Sequence, residues 1–105
     1  MSNKADNTIK HPLELGEATR LIREIACNDQ AKRTIVGHAD DRKAFRCLGD
    51  ISIDMVLKDG EVVDRRFEKN SWRYKVELAD KYGKLYVVTA IPKKDRLVII
   101  TTFSD

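Results

Sequence analysis

Apolar residues recur along this chain at two different periods, and the change of period divides it. Leu15, Ala18, Ile22 and Ile25, with Leu21 beside them, fall three or four residues apart, the spacing that gathers side chains on one face of a helix. Pro12 suits the first turn and Asn28-Asp29 interrupts the stripe, so the spacing predicts a core-facing helix from Pro12 to Ile25. Thr34-Ile35-Val36 reads as a short extended piece. It leads through Gly37 into a second predicted helix over 38–48, with Gly49 placed to close it. Ser52 then has the chemistry of an N-cap, Asp54 complements the helix dipole, and Met55-Val56-Leu57 carry a third short helix to Gly60.

From Glu61 onward the period falls to two. Trp72, Tyr74, Val76 and Leu78 are expected on one face of a strand, with Arg73, Lys75 and Glu77 on the other. Residues 85–91 and 97–103 are almost continuous β-branched and apolar runs, which places them centrally, with helices over one face. Lys69-Asn70, Asp80-Lys81-Tyr82-Gly83 and Pro92-Lys93-Lys94-Asp95 supply three hairpin turns. The fold expected is α+β: two to three N-terminal helices packed on one face of a four-stranded antiparallel sheet. Residues 1–10 are polar and aperiodic and read as a disordered leader, leaving 11–105 as a single domain.

A chain of 105 residues supports one core. No apolar run approaches the roughly 20 residues that cross a bilayer, and the N-terminus has no apolar export core, so a cytoplasmic protein without membrane association is expected. Cys27 and Cys47 lack the close pairing of zinc ligands and read as reduced, partly buried thiols; no metal site and no cofactor is expected. The net charge of +3 is compatible with either nucleic acid or an acidic protein partner.

Few groups remain for chemistry near neutral pH. His38 and Arg42 stand one helical turn apart and can share a phosphate, although the ordinary role of such a pair is to open a helix and to salt-bridge Asp41 or Glu61. His11, beside Pro12, reads as a capping or solvated residue. In the simplest register Arg73 and Lys75 lie near Tyr86 and Thr102, a set that suits an RNA backbone with a stacked base, with Arg65 and Arg66 adding charge nearby. The alternative is that alternating Lys and Arg only keep an exposed strand soluble.

Several short motifs occur in order: His38-Ala39-Asp40-Asp41-Arg42, Ile51-Ser52-Ile53-Asp54-Met55-Val56, Asp59-Gly60-Glu61-Val62, Trp72-Arg73-Tyr74-Lys75-Val76, Tyr82-Gly83-Lys84-Leu85 and Ile100-Thr101-Thr102. Their order and spacing, over about two-thirds of the chain, resemble the bacterial domain of unknown function numbered four-two-five-eight. That domain belongs with the RelE/MqsR-like toxins of the barnase, EndoU, colicin and RelE nuclease group. The resemblance implies a metal-independent endoribonuclease toxin acting on mRNA, free or on the ribosome, and held by a cognate antitoxin protein. By position it implies catalytic roles for His38, Arg42, Arg73, Lys75 and Thr101, and RNA contacts from Arg65, Arg66, Trp72, Tyr86 and Thr102. The chain ends in Ser104-Asp105, without the basic tail of ribosome-dependent toxins. Strict alternation would set Thr101 on the face opposite Lys75, a conflict that a bulge would remove. The competing expectation is a non-catalytic antitoxin or immunity module using the same sheet. Asp40, Asp41, Asp64, Glu68 and Glu77 favour it, because they break up the basic surface.

Overall fold

The computed structural model describes residues 9–35, 50–81 and 83–104. In chain order it contains helix α1 (Leu15–Cys27), strand β1 (Lys32–Ile35), helix α2 (Asp50–Asp59), and strands β2 (Glu61–Glu68), β3 (Ser71–Asp80), β4 (Gly83–Lys93) and β5 (Arg96–Ser104). The α+β class is as the periodicity predicts. The expected helix over 38–48, with His38, Arg42 and Cys47, lies outside the described residues.

The sheet differs from expectation in one strand. Its order is β1-β5-β4-β3-β2, and β1 runs parallel to β5, so the sheet is five-stranded and mixed instead of four-stranded and antiparallel. All four residues of β1 are exposed. An edge strand with no buried face carries no alternation, which is why the sequence shows only an extended piece there.

Both helices cover one face of the sheet, α1 over β2 and α2 over β3 and β4. Ala18, Ile22 and Ile25 of α1 are buried against Ile53, Val56 and Leu57 of α2 and against Val62, Tyr74, Val76, Val87, Ile91, Leu97 and Ile99 of the sheet. Each buried Ile or Leu contributes roughly 1.5–3 kcal/mol by leaving water, so this interface dominates the fold's stability. Helix α1 begins at Leu15, with Glu14 as an N-cap that makes no side-chain capping bond. Ser52 lies inside α2 and is not its N-cap. Cys27 is exposed, not partly buried.

Polar contacts fix α1 to the start of the sheet. Val62 N–H donates to Thr19 Oγ1 at 2.9 Å, and the Arg23 guanidinium donates to Gly60 O at 2.9 Å. Gly60 joins α2 to β2 where nothing larger fits: a Cβ there would lie 2.6 Å from Val56 O and 2.7 Å from Glu77 O. The β2–β3 hairpin turns through Lys69 and Asn70, both at positive φ, as a tight two-residue hairpin turn requires. Pro92 falls inside β4 where the β4–β5 register shifts, which is where a strand tolerates a residue without an N–H.

Ile9 packs against the core, and His11 is tied into it. The His11 ring nitrogens lie 2.7 Å from Tyr74 Oη and 3.1 Å from Ile91 O, and Leu13 N–H donates to Tyr74 Oη at 3.0 Å. His11 therefore fastens the segment before α1 onto β3 and β4; it is neither a cap nor a solvated side chain.

Candidate nucleic-acid interface

The sheet face opposite the helices, called here the outer face, collects the cations. In β2 and β3, Arg66 pairs with Arg73 and Asp64 with Lys75 in register, while Val62, Val76 and Tyr74 turn to the core. The register shift at Val63 re-phases β2 so that Asp64 and Arg66 share a face with Lys75 and Arg73.

A second bulge, in β5, decides which threonine reaches that face. Val88 pairs with Thr101 but Thr89 pairs with Ile99, which leaves Ile100 as the extra residue. Ile99 is buried in the core and Thr102, paired with the buried Val87, is also buried. Ile100 and Thr101 both turn outward instead of alternating, and both line an outer-face groove. Lys75, Val88 and Thr101 thus form one cross-strand row, because Lys75 is itself opposite Val88. The conflict between Lys75 and Thr101 that strict alternation creates is absent.

This row lies in an open groove of about 320 Å³ lined by Asp64, Arg65, Arg66, Glu68, Arg73, Lys75, Val88, Ile100, Thr101 and Phe103. The Arg73 side chain is only 17 % exposed; its guanidinium lies 3.8 Å from Glu68, and its Nε is buried without a hydrogen-bond partner. An unpaired buried donor costs about 1–3 kcal/mol, so among the described residues Arg73 is under-satisfied. Arg66 lies 3.4 Å from Asp64. Among the described residues Lys75 has no carboxylate partner. Its ammonium sits 4.6 Å from the Tyr86 ring centroid and 5.6 Å from that of Phe103, and the two rings stack at 4.7 Å with 21° between their planes.

Of the residues expected to act together, Arg73, Lys75, Thr101 and Arg66 meet at this groove. Tyr86 is on the outer face but 8 % exposed, a support under Lys75 more than a free surface. Two residues expected on the RNA surface are placed elsewhere, and a third, Arg65, lines the groove with its guanidinium committed to Leu13 O. Thr102 is buried. Trp72 packs against the core on the helix side, as its alternation with Arg73 requires. Arg65 donates to Leu13 O and lies 5.9 Å over the Trp72 ring, so its charge binds the segment before α1. His38 and Arg42 lie outside the described residues. Phe103 was absent from the expected set; its alternation with Thr101 on a bulged strand is the signal that would have found it.

Away from the groove, burial pushes the Tyr74 hydroxyl above its ordinary value, opposed in part by the hydrogen bond from Leu13. On the β1 side, Asp54 accepts from Lys58 and Arg33 at 3.0 and 3.1 Å, and the Lys58 bond chiefly holds its carboxyl below the ordinary value. These are fastenings of the fold. No helix among the described residues is long and apolar enough to cross a membrane. No protein-family profile, no curated protein and no solved structure matches this chain.

Proposed function

We propose that the chain is a RelE/MqsR-like, metal-independent endoribonuclease toxin of the cytoplasm, which draws RNA across the outer face of its sheet and is held in check by an antitoxin protein. The observation that carries this reading is the convergence of Arg73, Lys75 and Thr101 on one groove, brought about by the bulge at Ile100. Two cations and a hydroxyl at neighbouring register positions match the needs of a phosphodiester, whose negative charge grows as it becomes a phosphorane.

In this reading the ribose 2′-hydroxyl attacks the adjacent phosphorus and the bond to the 5′-oxygen of the next nucleotide breaks. The products are a 2′,3′-cyclic phosphate and a 5′-hydroxyl. Arg73 stabilises the added charge, Thr101 orients a phosphate oxygen, and Lys75 binds the phosphate or protonates the departing oxygen. His38 takes or returns a proton and Arg42 joins the phosphate, roles given to them by the sequence pattern alone. The experiment is incubation of purified protein with end-labelled RNA in excess chelator, followed by analysis of the ends. Cyclic phosphate and 5′-hydroxyl ends are expected, with toxicity on expression relieved by the product of the neighbouring open reading frame. RNA left intact, both free and on translating ribosomes, together with unaffected growth, contradicts the reading.

A second reading is favoured by the carboxylates at the same groove. Asp64 and Glu68 already partner Arg66 and Arg73, an arrangement that also suits an acidic protein partner without catalysis. Salt separates the two. RNA retention that weakens steeply with salt supports phosphate binding through counterion release, whereas no retention even at low salt supports the protein-binding module.

A further inference from the structure

We infer that Phe103 is the residue that selects for an unpaired base at this groove. The inference rests on the outer face being an RNA surface and adds which feature of the RNA it reads.

Five aromatic residues of strands β2 to β5 are described, and the structure distinguishes them: Tyr74 is fully buried, and Phe67, although exposed, alternates with Arg66 and packs its ring on Trp72. Trp72 turns to the helix side and packs on the core. Tyr86 is 8 % exposed, with Phe103 stacked on it and Lys75 over it. Phe103 is half-buried, lines the groove beside Thr101, and stacks on Tyr86, its register partner across the strand pair. Among the described aromatic residues, only Phe103 lines the groove.

Distance joins this plate to the phosphate site. The Lys75 ammonium is 5.6 Å from the Phe103 centroid, a separation of about the size of one nucleotide. One nucleotide can therefore rest its base on Phe103 while Lys75 holds its phosphate. Within a duplex both faces of a base are covered by neighbours, so this contact requires an unpaired nucleotide, and because every base has a π-face it is tolerant of sequence. Tyr86, stacked beside Phe103 on the neighbouring strand, holds the ring in place, which spares the ordering cost a lone exposed side chain would incur.

The test compares two uncleavable oligomers with the same 2′-O-methyl ribose-phosphate backbone, one carrying uracil at every position and one wholly abasic, against wild type, Phe103→Leu and Phe103→Trp. Leu keeps an apolar filler over Tyr86, and circular dichroism checks that each variant is folded. The wild type is expected to prefer the base-bearing oligomer by roughly 5- to 150-fold, the range of a single base–aromatic stack. Phe103→Leu should lose that preference while still binding the abasic oligomer like wild type, and Phe103→Trp should keep it. Equal wild-type affinity for both oligomers, or an undiminished preference in folded Phe103→Leu, overturns the inference and leaves RNA binding intact. Failure of the wild type to bind either oligomer instead overturns the RNA reading itself.

Discussion

Replacing Tyr74 with Phe removes one oxygen from a fully buried side chain, and the structure says what that oxygen does. His11 Nε2 faces Ile91 O, which can only accept, so Nε2 carries the ring proton and Nδ1 is left as an acceptor. Tyr74 O–H then donates to Nδ1 across 2.7 Å while its oxygen accepts Leu13 N–H across 3.0 Å. Every polar atom in the group is used. In Tyr74→Phe the buried Leu13 N–H has no partner, at a cost of about 1–3 kcal/mol, and loss of the His11 bond adds about 0.5–1.5 kcal/mol. We expect a net destabilisation of about 2–4 kcal/mol, a large share of the roughly 5–15 kcal/mol typical of a small domain. Urea unfolding reads it as a lower midpoint with an unchanged slope. Because burial raises the Tyr74 pKa in the folded state, its stabilisation is complete below the unfolded value near 10 and is lost as pH rises through the folded one. The wild type should therefore show an alkaline loss of stability that Tyr74→Phe lacks. A folded variant within about 0.5 kcal/mol of wild type, the range of an ordinary surface substitution, refutes the reasoning.

Three further outcomes follow from the groove and the α2–β2 junction. Lys75→Gln should lower RNA cleavage by about 10²–10⁴-fold, the usual range for a positioned acid or base, with the urea midpoint nearly unchanged, as measured by product formation under single-turnover conditions. Glu68→Gln should tighten RNA binding, because the carboxylate 3.8 Å from Arg73 competes with phosphate; the salt dependence should steepen by up to about 0.7 in log–log slope. In an Arg73→Gln background the same change should have no effect. Gly60→Ala should destabilise by about 1–3 kcal/mol, as overpacking does, since its Cβ would meet the carbonyls of Val56 and Glu77 at 2.6 and 2.7 Å. Thermal unfolding checks it.

What could be read in advance follows from where burial leaves a trace in the order of residues. The stripe Ala18, Ile22, Ile25 and the alternation of Tyr74 and Val76 with Arg73 and Lys75 were legible because one face of each element is buried. Strand β1 was legible only as an extended piece, and its parallel place beside β5 was not, since four exposed residues on a sheet edge have no periodicity to display. The bulge in β5 was also hidden. Val98, Ile99, Ile100, Thr101 and Thr102 are all β-branched, so no residue type marks the one at which alternation fails. That single residue decides that Thr101 and not Thr102 reaches the groove. Arg65 and Arg66 illustrate the same limit: of two adjacent identical cations, one is committed to Leu13 O and the Trp72 ring and the other lies beside Asp64, partners that adjacency does not reveal. His11 gained its partners from Tyr74 and Ile91 in the same way.

The outer face of the sheet is where RNA is proposed to bind, and NMR mapping of amide shifts on adding an uncleavable single-stranded RNA at low salt addresses that face directly. Shifts are expected at Arg73, Lys75, Val88, Thr101 and Phe103, with those on α1 unmoved. Shifts confined to α1 and α2, or none with RNA in large excess, would contradict the proposal.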